Sequence, residues 1–410
     1  MNVTIQPGSL KGAVSAVPSK SIAHRLMILS AISPSPSEVI CETTSQDIDA
    51  TARCLRALST DDDSCLLDCG ESGSTLRFLL PVIGALGKSA RIIRRGRLAQ
   101  RPLAPLDQQL RAHGMRIEDD GDKLLVAGKL RGGHFSLPGD VSSQYVSGLL
   151  LAAPLLAEPV EVFVSTPVQS RPYVQLTIAA LKRFGADVTC DRVGLGAASC
   201  ERFAMQPCTL RAPRFVTVEG DWSNAAFWLA AGALEEQGLT VAGLDLMSAQ
   251  GDRAILAALA AFGARVARKG DAARVTRDVP RAASMDVRAI PDLVPPLAAV
   301  AATTPGMSML RNAGRLRLKE SDRLATVTAT INAMGGRARL IGDDLVIEGV
   351  ERLAGGRVSA ADDHRIAMMT AVMATHAMEA TLLHGADCVA KSYPEFWDDY
   401  RMLGGGATEC

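Results

Sequence analysis

The chain is expected to fold as an α/β protein with mixed sheets, assembled from a repeated subdomain, and three observations lead there. Residues 110–117, 181–188, 259–266 and 331–338 share one form: the end of an amphipathic helix, a glycine (Gly114, Gly185, Gly263, Gly335), then an alternating strand. A glycine there can take the left-handed conformation that closes a helix. These glycines are 71, 78 and 72 residues apart, and six units of roughly 68 residues would fill the 410-residue chain, a spacing longer than that of most solenoid repeats. Finally, Asp120-Gly121-Asp122 precedes Lys123–Val126 and Gly342-Asp343-Asp344 precedes Leu345–Ile347, each a turn followed by a second strand. A helix, hairpin, helix order results, hence α/β.

Taken in order, Met1–Ile5 alternates as a strand and lacks the basic region and apolar block of a signal peptide. A weaker copy of the repeat ends at Cys54–Ser59, and the helical stretch Ile366 to Met378 is expected to be the last. Small polar or acidic residues precede apolar runs at Gly70–Thr75, Asp140–Gln144, Asp221–Asn224 and Asp362–Arg365. Each reads as an N-cap, and a helix N-terminus offers free N–H groups and a positive dipole end to an anion. The tail, Gly404 to Cys410, reads as disordered.

Composition closes several function classes. Lys+Arg and Asp+Glu are equal at 44 each, and aromatic residues make up only 4%, so a dedicated nucleic-acid surface is not expected. The longest apolar stretches, Leu149–Ala157 and Leu293–Ala302, are far short of the ~20 residues that cross a bilayer. A cytoplasmic protein of two or three domains is expected. Nine cysteines without a Cys-x-x-Cys pair suit neither a disulfide framework nor a zinc site, and Cys65 and Cys69 have no nearby histidine to complete a ligand set. No metal is expected. Gly87-Lys88-Ser89 resembles the end of a phosphate-binding loop, but Val82 stands where its first glycine belongs.

What remains is a series of cations in turn-like or cap-like settings: Lys20 and Arg25, Arg101, Arg171, Lys319 and Arg323, Arg365, and Lys391. Singly, each is more often a solvated charge. In Lys319-Glu320-Ser321-Asp322-Arg323, Lys319 is expected to pair with Asp322 and Glu320 with Arg323 on one helical turn.

These segments, with Gly70–Arg77, Ser142–Gln144, Ser170–Tyr173, Val218–Asp221, Pro291-Asp292 and Asp363–Arg365, follow one another in an order and spacing that resembles the 5-enolpyruvylshikimate-3-phosphate synthase family of enolpyruvyl transferases. The resemblance spans the whole chain. It implies six βαβαββ-like units in two globes, an inside-out α/β barrel architecture, with 20–218 as the N-terminal globe on the shikimate 3-phosphate side. Residues 1–19 plus 219–410 would form the C-terminal globe, bearing the acid and base and part of the phosphoenolpyruvate cradle.

The resemblance also implies the reaction: the enolpyruvyl group of phosphoenolpyruvate passes to the 5-hydroxyl of shikimate 3-phosphate by addition and elimination. Two phosphates and two carboxylates across the pair call for helix N-termini and arginine forks. By resemblance, Lys20, Ser21, Arg25, Ser142, Ser143 and Ser170 hold shikimate 3-phosphate, Gln144 and Tyr173 lie close to its ring, and Asp292 and Lys319 reach its hydroxyls. Lys20, Gly73, Arg101, Gln144, Arg323, Arg365 and Lys391 form the phosphoenolpyruvate cradle, Gly73 because a side chain there would crowd the ligand. Asp292 is expected to take the hydroxyl proton and Glu320 to protonate C3, with Lys20 assisting at the phosphate. An acidic Glu320 needs a raised proton affinity, which neighbouring Lys319 and Arg323 oppose. No cofactor is implied. The partners are the two small-molecule substrates, with no nucleic acid, no membrane and a monomeric chain, and glyphosate would compete for the cradle.

Two positions depart from the family pattern: Glu71 stands where many relatives carry Asn, and Arg315 where some carry an Asn that contacts shikimate. Ser74 is the more secure contact. The alternatives are a UDP-N-acetylglucosamine enolpyruvyl transferase, whose usual acid is a Cys that Arg91–Arg101 lacks, and an inactive anion-binding paralogue, which would be expected to lose the acid and base present here.

Overall fold

The computed structural model describes residues 1–60, 62, 64–194 and 200–410. The chain divides into two compact units, Lys20–Val218 and Met1–Ser19 with Glu219–Cys410.

One sheet pattern recurs five times among the described residues. Ser64–Asp68 runs parallel to Ser89–Ile93, Lys123–Ala127 pairs antiparallel with the latter, and Arg116–Asp120 completes a hairpin at the edge. Gly133–Leu137, Val160–Val164, Cys200–Met205 and Thr189–Val193 repeat it within Lys20–Val218. In the other unit, Gly12–Ser15 begins one copy, Ser284–Asp286 the next and Gly356–Ser359 the last. A sixth, reduced sheet has only Glu38–Ile40 parallel to Phe215–Thr217.

Between the two parallel strands of each full unit runs a helix that is predominantly apolar around its circumference, with its polar residues mostly near its N-terminal end, and such a helix is stable when buried. In the larger unit Trp222–Leu234, Val294–Ala302 and His364–Ala374 are buried at every residue and pack on one another. In Lys20–Val218 the core runs through Gly73–Leu86 and Ser143–Ala152, with Lys20–Ile32 against both. Helices nearer the surface, such as Gln46–Leu58 and Arg171–Arg183, bury one stripe only.

The four repeat glycines all have positive φ, between 77° and 106°, each just after a helix. At Gly263 a Cβ would fall 1.8 Å from the Val279 carbonyl oxygen, so the position excludes any side chain. The expected disorder of the tail is overturned. Helix Phe396–Met402 is followed by Gly404 at φ 97° and strand Gly406–Glu409, which pairs with Asn2–Gln6. This is a fifth copy of the helix–glycine–strand form, and its strand is stabilised by a partner almost the whole chain away. The stretch from Ile366 belongs instead to the buried helix His364–Ala374, a different position in the repeat. The weak copy at Cys54–Ser59 ends on Ser59 in ordinary right-handed geometry.

Candidate active site

Every expected N-cap forms. Ser72 accepts from the Thr75 amide, Ser142 from Gln144, Asp221 from Asn224 and Asp363 from Arg365, and three of these four buried helices, all but Trp222–Leu234, begin at residues of the candidate site.

In Lys20–Val218, Lys20 opens its helix with Nζ 2.9 Å from Asp47 Oδ2. Arg25, 2% exposed, is committed to the fold: Nε donates to Thr177 Oγ1 (2.7 Å), Nη1 to the Ser21 carbonyl (2.5 Å), and Nη2 to the Tyr173 carbonyl (2.8 Å) and Ser147 Oγ (3.4 Å). Burial pulls it down to about 9. It joins the stretches bearing Ser21 and Tyr173 and leaves few N–H groups for a ligand. Arg171 pairs with Glu201 at 2.6 Å.

Gly73 is the first residue of its helix, and a Cβ there would lie 2.5 Å from Arg77 Nη1 and 2.7 Å from Arg101 Nη1. The reason for glycine is thus first the protein's own two guanidinium groups, rather than the ligand contact expected from the sequence. Arg77 closes the Gly70–Arg77 segment, and nothing in the sequence sets it apart from a surface cation. Its Nη1 donates to Gln144 Oε1 (3.1 Å) and its Nη2 to the Pro102 carbonyl (3.0 Å), while Gln144 Nε2 donates to Ser74 Oγ (3.0 Å). Arg101 Nε is buried with no hydrogen-bond partner among the described residues. Ser143 is buried at the start of its helix, and Ser170 adopts φ 54° with a buried Oγ that has no partner among the described residues. Left-handed serine is uncommon and concentrates at functional positions. Glu71 packs on the turn leading to Arg101, where a Gly96 Cβ would fall 2.6 Å from its carboxyl carbon.

In the other unit the cations are interleaved with carboxylates. Asp292, on the turn Pro291–Leu293, has Oδ1 3.0 Å from Lys319 Nζ and 2.9 Å from Arg323 Nη1, with Oδ2 3.6 Å from Arg365 Nη2. Arg365 Nη1 also donates to the Asp292 carbonyl at 3.2 Å. Arg323 reaches Glu320 Oε2 at 2.6 Å and forks onto Asp363. Burial opposes its charge, but Asp363, Glu320 and Asp292 outweigh that and push its pKa up. Lys391 Nζ donates to the carbonyl of Asp362 at 2.8 Å, beside this cluster. The expected pairing of Lys319 with Asp322 does not form. Asp322 caps the Arg323–Ala333 helix, which starts too late to place Lys319 on the same turn, and the extended backbone at Lys319 sends its amine to Asp292. Burial lowers Lys319 to about 8 against the pull of Asp292. Arg315, on the preceding turn Gly314–Leu318, adds to that lowering.

Sequence reasoning also missed Asp252, which is 2% exposed, accepts the Ser223 hydroxyl and is held up at about 6 by burial and then by Asp292. In the sequence it stands in Gln250-Gly251-Asp252-Arg253, an ordinary polar turn that does not mark it. Among the described residues no group of acids, histidines and cysteines is placed to hold a metal, and no helix is long and apolar enough to cross a membrane.

Comparison with known proteins matches residues 5–400 to the family model "EPSP synthase (3-phosphoshikimate 1-carboxyvinyltransferase)". A relative named 3-phosphoshikimate 1-carboxyvinyltransferase from Clostridium kluyveri is 37% identical over 426 residues, spanning 99% of this chain and 98% of its own. One of the same name from Clostridium botulinum strain Eklund 17B is 35% identical over 431 residues, with the same coverage. Among solved structures, an EPSP synthase from Acinetobacter baumannii superposes with a TM-score of 0.80 at 22% identity over 100% of both chains. The enolpyruvyl transferase NikO from Streptomyces tendae gives 0.75 at 16% identity, over 99% of this chain and 98% of its own. These two support the fold.

Proposed function

Because the chain belongs to the EPSP synthase (3-phosphoshikimate 1-carboxyvinyltransferase) family, we propose that it transfers the enolpyruvyl group of phosphoenolpyruvate to the 5-hydroxyl of shikimate 3-phosphate and releases phosphate, a step toward aromatic amino acids. The observation that carries this reading is Asp292, a carboxylate fixed by Lys319 and Arg323 with Glu320 on the same arginine.

In this reading the 5-hydroxyl gives its proton to Asp292 as its oxygen bonds to C2, while Glu320 protonates C3. The C2–O bond to phosphate then breaks, the phosphate leaving with the electron pair and taking up the proton held by Asp292, while C3 returns its proton to Glu320 and the double bond is restored. The Arg323 contact favours ionised Glu320, so the bound anions must raise its proton affinity before it serves as the acid. Lys20, Gly73, Arg101, Gln144, Arg323, Arg365 and Lys391 take phosphoenolpyruvate, with Lys20 assisting at its phosphate. Lys20, Ser21, Arg25, Ser142, Ser143, Gln144, Ser170, Tyr173, Asp292 and Lys319 take shikimate 3-phosphate, Arg25 chiefly by positioning Ser21 and Tyr173. Arg77 joins the cradle through Gln144. The chemistry calls for no metal or cofactor, since arginine and lysine supply the positive field. The same reading makes the protein a cytoplasmic monomer.

Purified protein mixed with phosphoenolpyruvate and shikimate 3-phosphate should release phosphate, and UDP-N-acetylglucosamine should not replace the shikimate acceptor. Release with the nucleotide sugar alone would move the protein to the alternative transferase. Release with neither would leave an inactive anion-binding relative.

A further inference from the structure

The helix that opens with Lys20 and the helix that opens with Gly73 are joined by a buried run of hydroxyl groups ending on His24. Ser72 Oγ, the cap of the Gly73–Leu86 helix, accepts from the Thr75 amide at 3.2 Å and from Thr75 Oγ1 at 2.7 Å. Thr75 Oγ1 lies 2.6 Å from Thr51 Oγ1, and Thr51 Oγ1 lies 2.7 Å from His24 Nδ1. His24, Thr51 and Thr75 are 0% exposed and Ser72 is 1% exposed. No water is needed to complete the run.

A hydroxyl has one proton to give, so the directions are determined along the whole run. Thr75 spends its proton on Ser72 and therefore accepts from Thr51. Thr51 spends its proton on Thr75 and therefore accepts from His24. His24 must then carry its proton on Nδ1. The Nε2 atom, buried and without a partner among the described residues, is left as a bare lone pair. The other tautomer would point the Nδ1 lone pair at an oxygen with no proton to offer and bury an unpaired N–H, so it loses on both counts. Burial, with Lys20 and Arg25 adjacent, keeps the ring neutral. Phe78, from the Gly73 helix, meets the imidazole edge-on at 6.4 Å and limits its rotation.

We propose that His24 is a positioning residue: as the terminal Nδ1–H donor of the run through Thr51 and Thr75, it sets the Ser72 cap and hence the place of Gly73 and Ser74 relative to Lys20. This rests on the reading of Gly73 as part of the phosphoenolpyruvate cradle. Asn can replace the donor, because its Nδ2 is bonded to Cγ as the histidine Nδ1 is. Phe fills the space and donates nothing.

Nitrogen-15 spectra of the histidine-labelled full chain should show His24 neutral, protonated at Nδ1 and bare at Nε2; a proton at Nε2 overturns the proposal whatever the enzyme does. In steady-state assays His24→Phe should raise KM for phosphoenolpyruvate by about 10-fold while changing KM for shikimate 3-phosphate far less, because a small misplacement at one end of a site weakens what binds there. His24→Asn should restore it. Equal constants for the Phe and Asn variants would sink the proposal. Should His24→Phe fail to fold, Thr75→Val breaks the same run and should show the same split. If the wild type transfers no enolpyruvyl group, the functional reading fails, and the spectrum still decides the donor run.

Discussion

Arg323 and Asp363 face each other as two planar groups, with Nε 2.9 Å from Oδ2 and Nη2 3.1 Å from Oδ1. Both are buried, and the same carboxylate caps the His364–Ala374 helix and accepts the Ser321 hydroxyl. Asp363 therefore braces one wall of the candidate site.

Removing one partner of such a pair strands a buried charge. Asp363→Ala is expected to destabilise folding by ~3–5 kcal/mol, read as the change in urea midpoint at unchanged m. A loss below 1 kcal/mol would mean that Glu320 and Asp292 suffice to hold Arg323.

Asp292→Asn and Glu320→Gln keep size and remove a proton-transfer group. Each should lower turnover by ~10²-fold or more while substrate affinity, measured by calorimetry, changes much less. Near-normal turnover in either variant would show that its assigned role is wrong.

Lys319 titrates within the working range, since burial brings it from 10.5 to about 8. Between those values the unfolded chain keeps a proton that the folded chain has released, so stability rises with pH there. Activity goes the other way, because the cation is the form that pairs with Asp292. The kcat/KM for shikimate 3-phosphate should fall as pH rises through about 8, and the slower Lys319→Met variant should lack that limb.

Asp252 has the opposite sign. Its carboxyl keeps a proton to about 6, whereas the unfolded chain releases it near 3.8, so folding loses stability as pH rises across that interval and does not regain it above. Asp252→Asn should be more stable than wild type at pH 7.5 by up to ~3 kcal/mol, with the gain shrinking as pH falls through about 6. Thermal melts at several pH values test this, and a variant less stable throughout would show that the carboxylate gains more from Ser223 and Arg365 than burial costs it.

Gly73→Ala must displace both Arg77 and Arg101, since the new methyl would sit 2.5 and 2.7 Å from their Nη1 atoms. Glyphosate, a longer analogue of phosphoenolpyruvate, should lose about 10-fold or more in competitive inhibition while phosphoenolpyruvate loses less, the scale of other single-methyl discriminations. Inhibition curves at fixed shikimate 3-phosphate decide it. A wild type indifferent to millimolar glyphosate would show that Gly73 alone does not set sensitivity.

Local chemistry was legible from residue order alone. The repeat glycines appeared as glycines after amphipathic helices because only that residue closes the turn without strain, and the N-caps appeared because short polar side chains satisfy orphan amides. Both devices act within a few residues, so a linear reading finds them. The tail reads as disordered in sequence because its strand is held by Asn2–Gln6, 400 residues or more away, and nothing in Gly404–Cys410 advertises that partner. Lys319 was paired with Asp322 by helical spacing, but the backbone is not helical there, and Asp292 wins through tertiary packing. Arg77, Asp252 and the hydroxyl run from His24 to Ser72 belong to the same class. Each matters through what faces it, and burial in a shared core decides which partners an ordinary arginine, aspartate or threonine has.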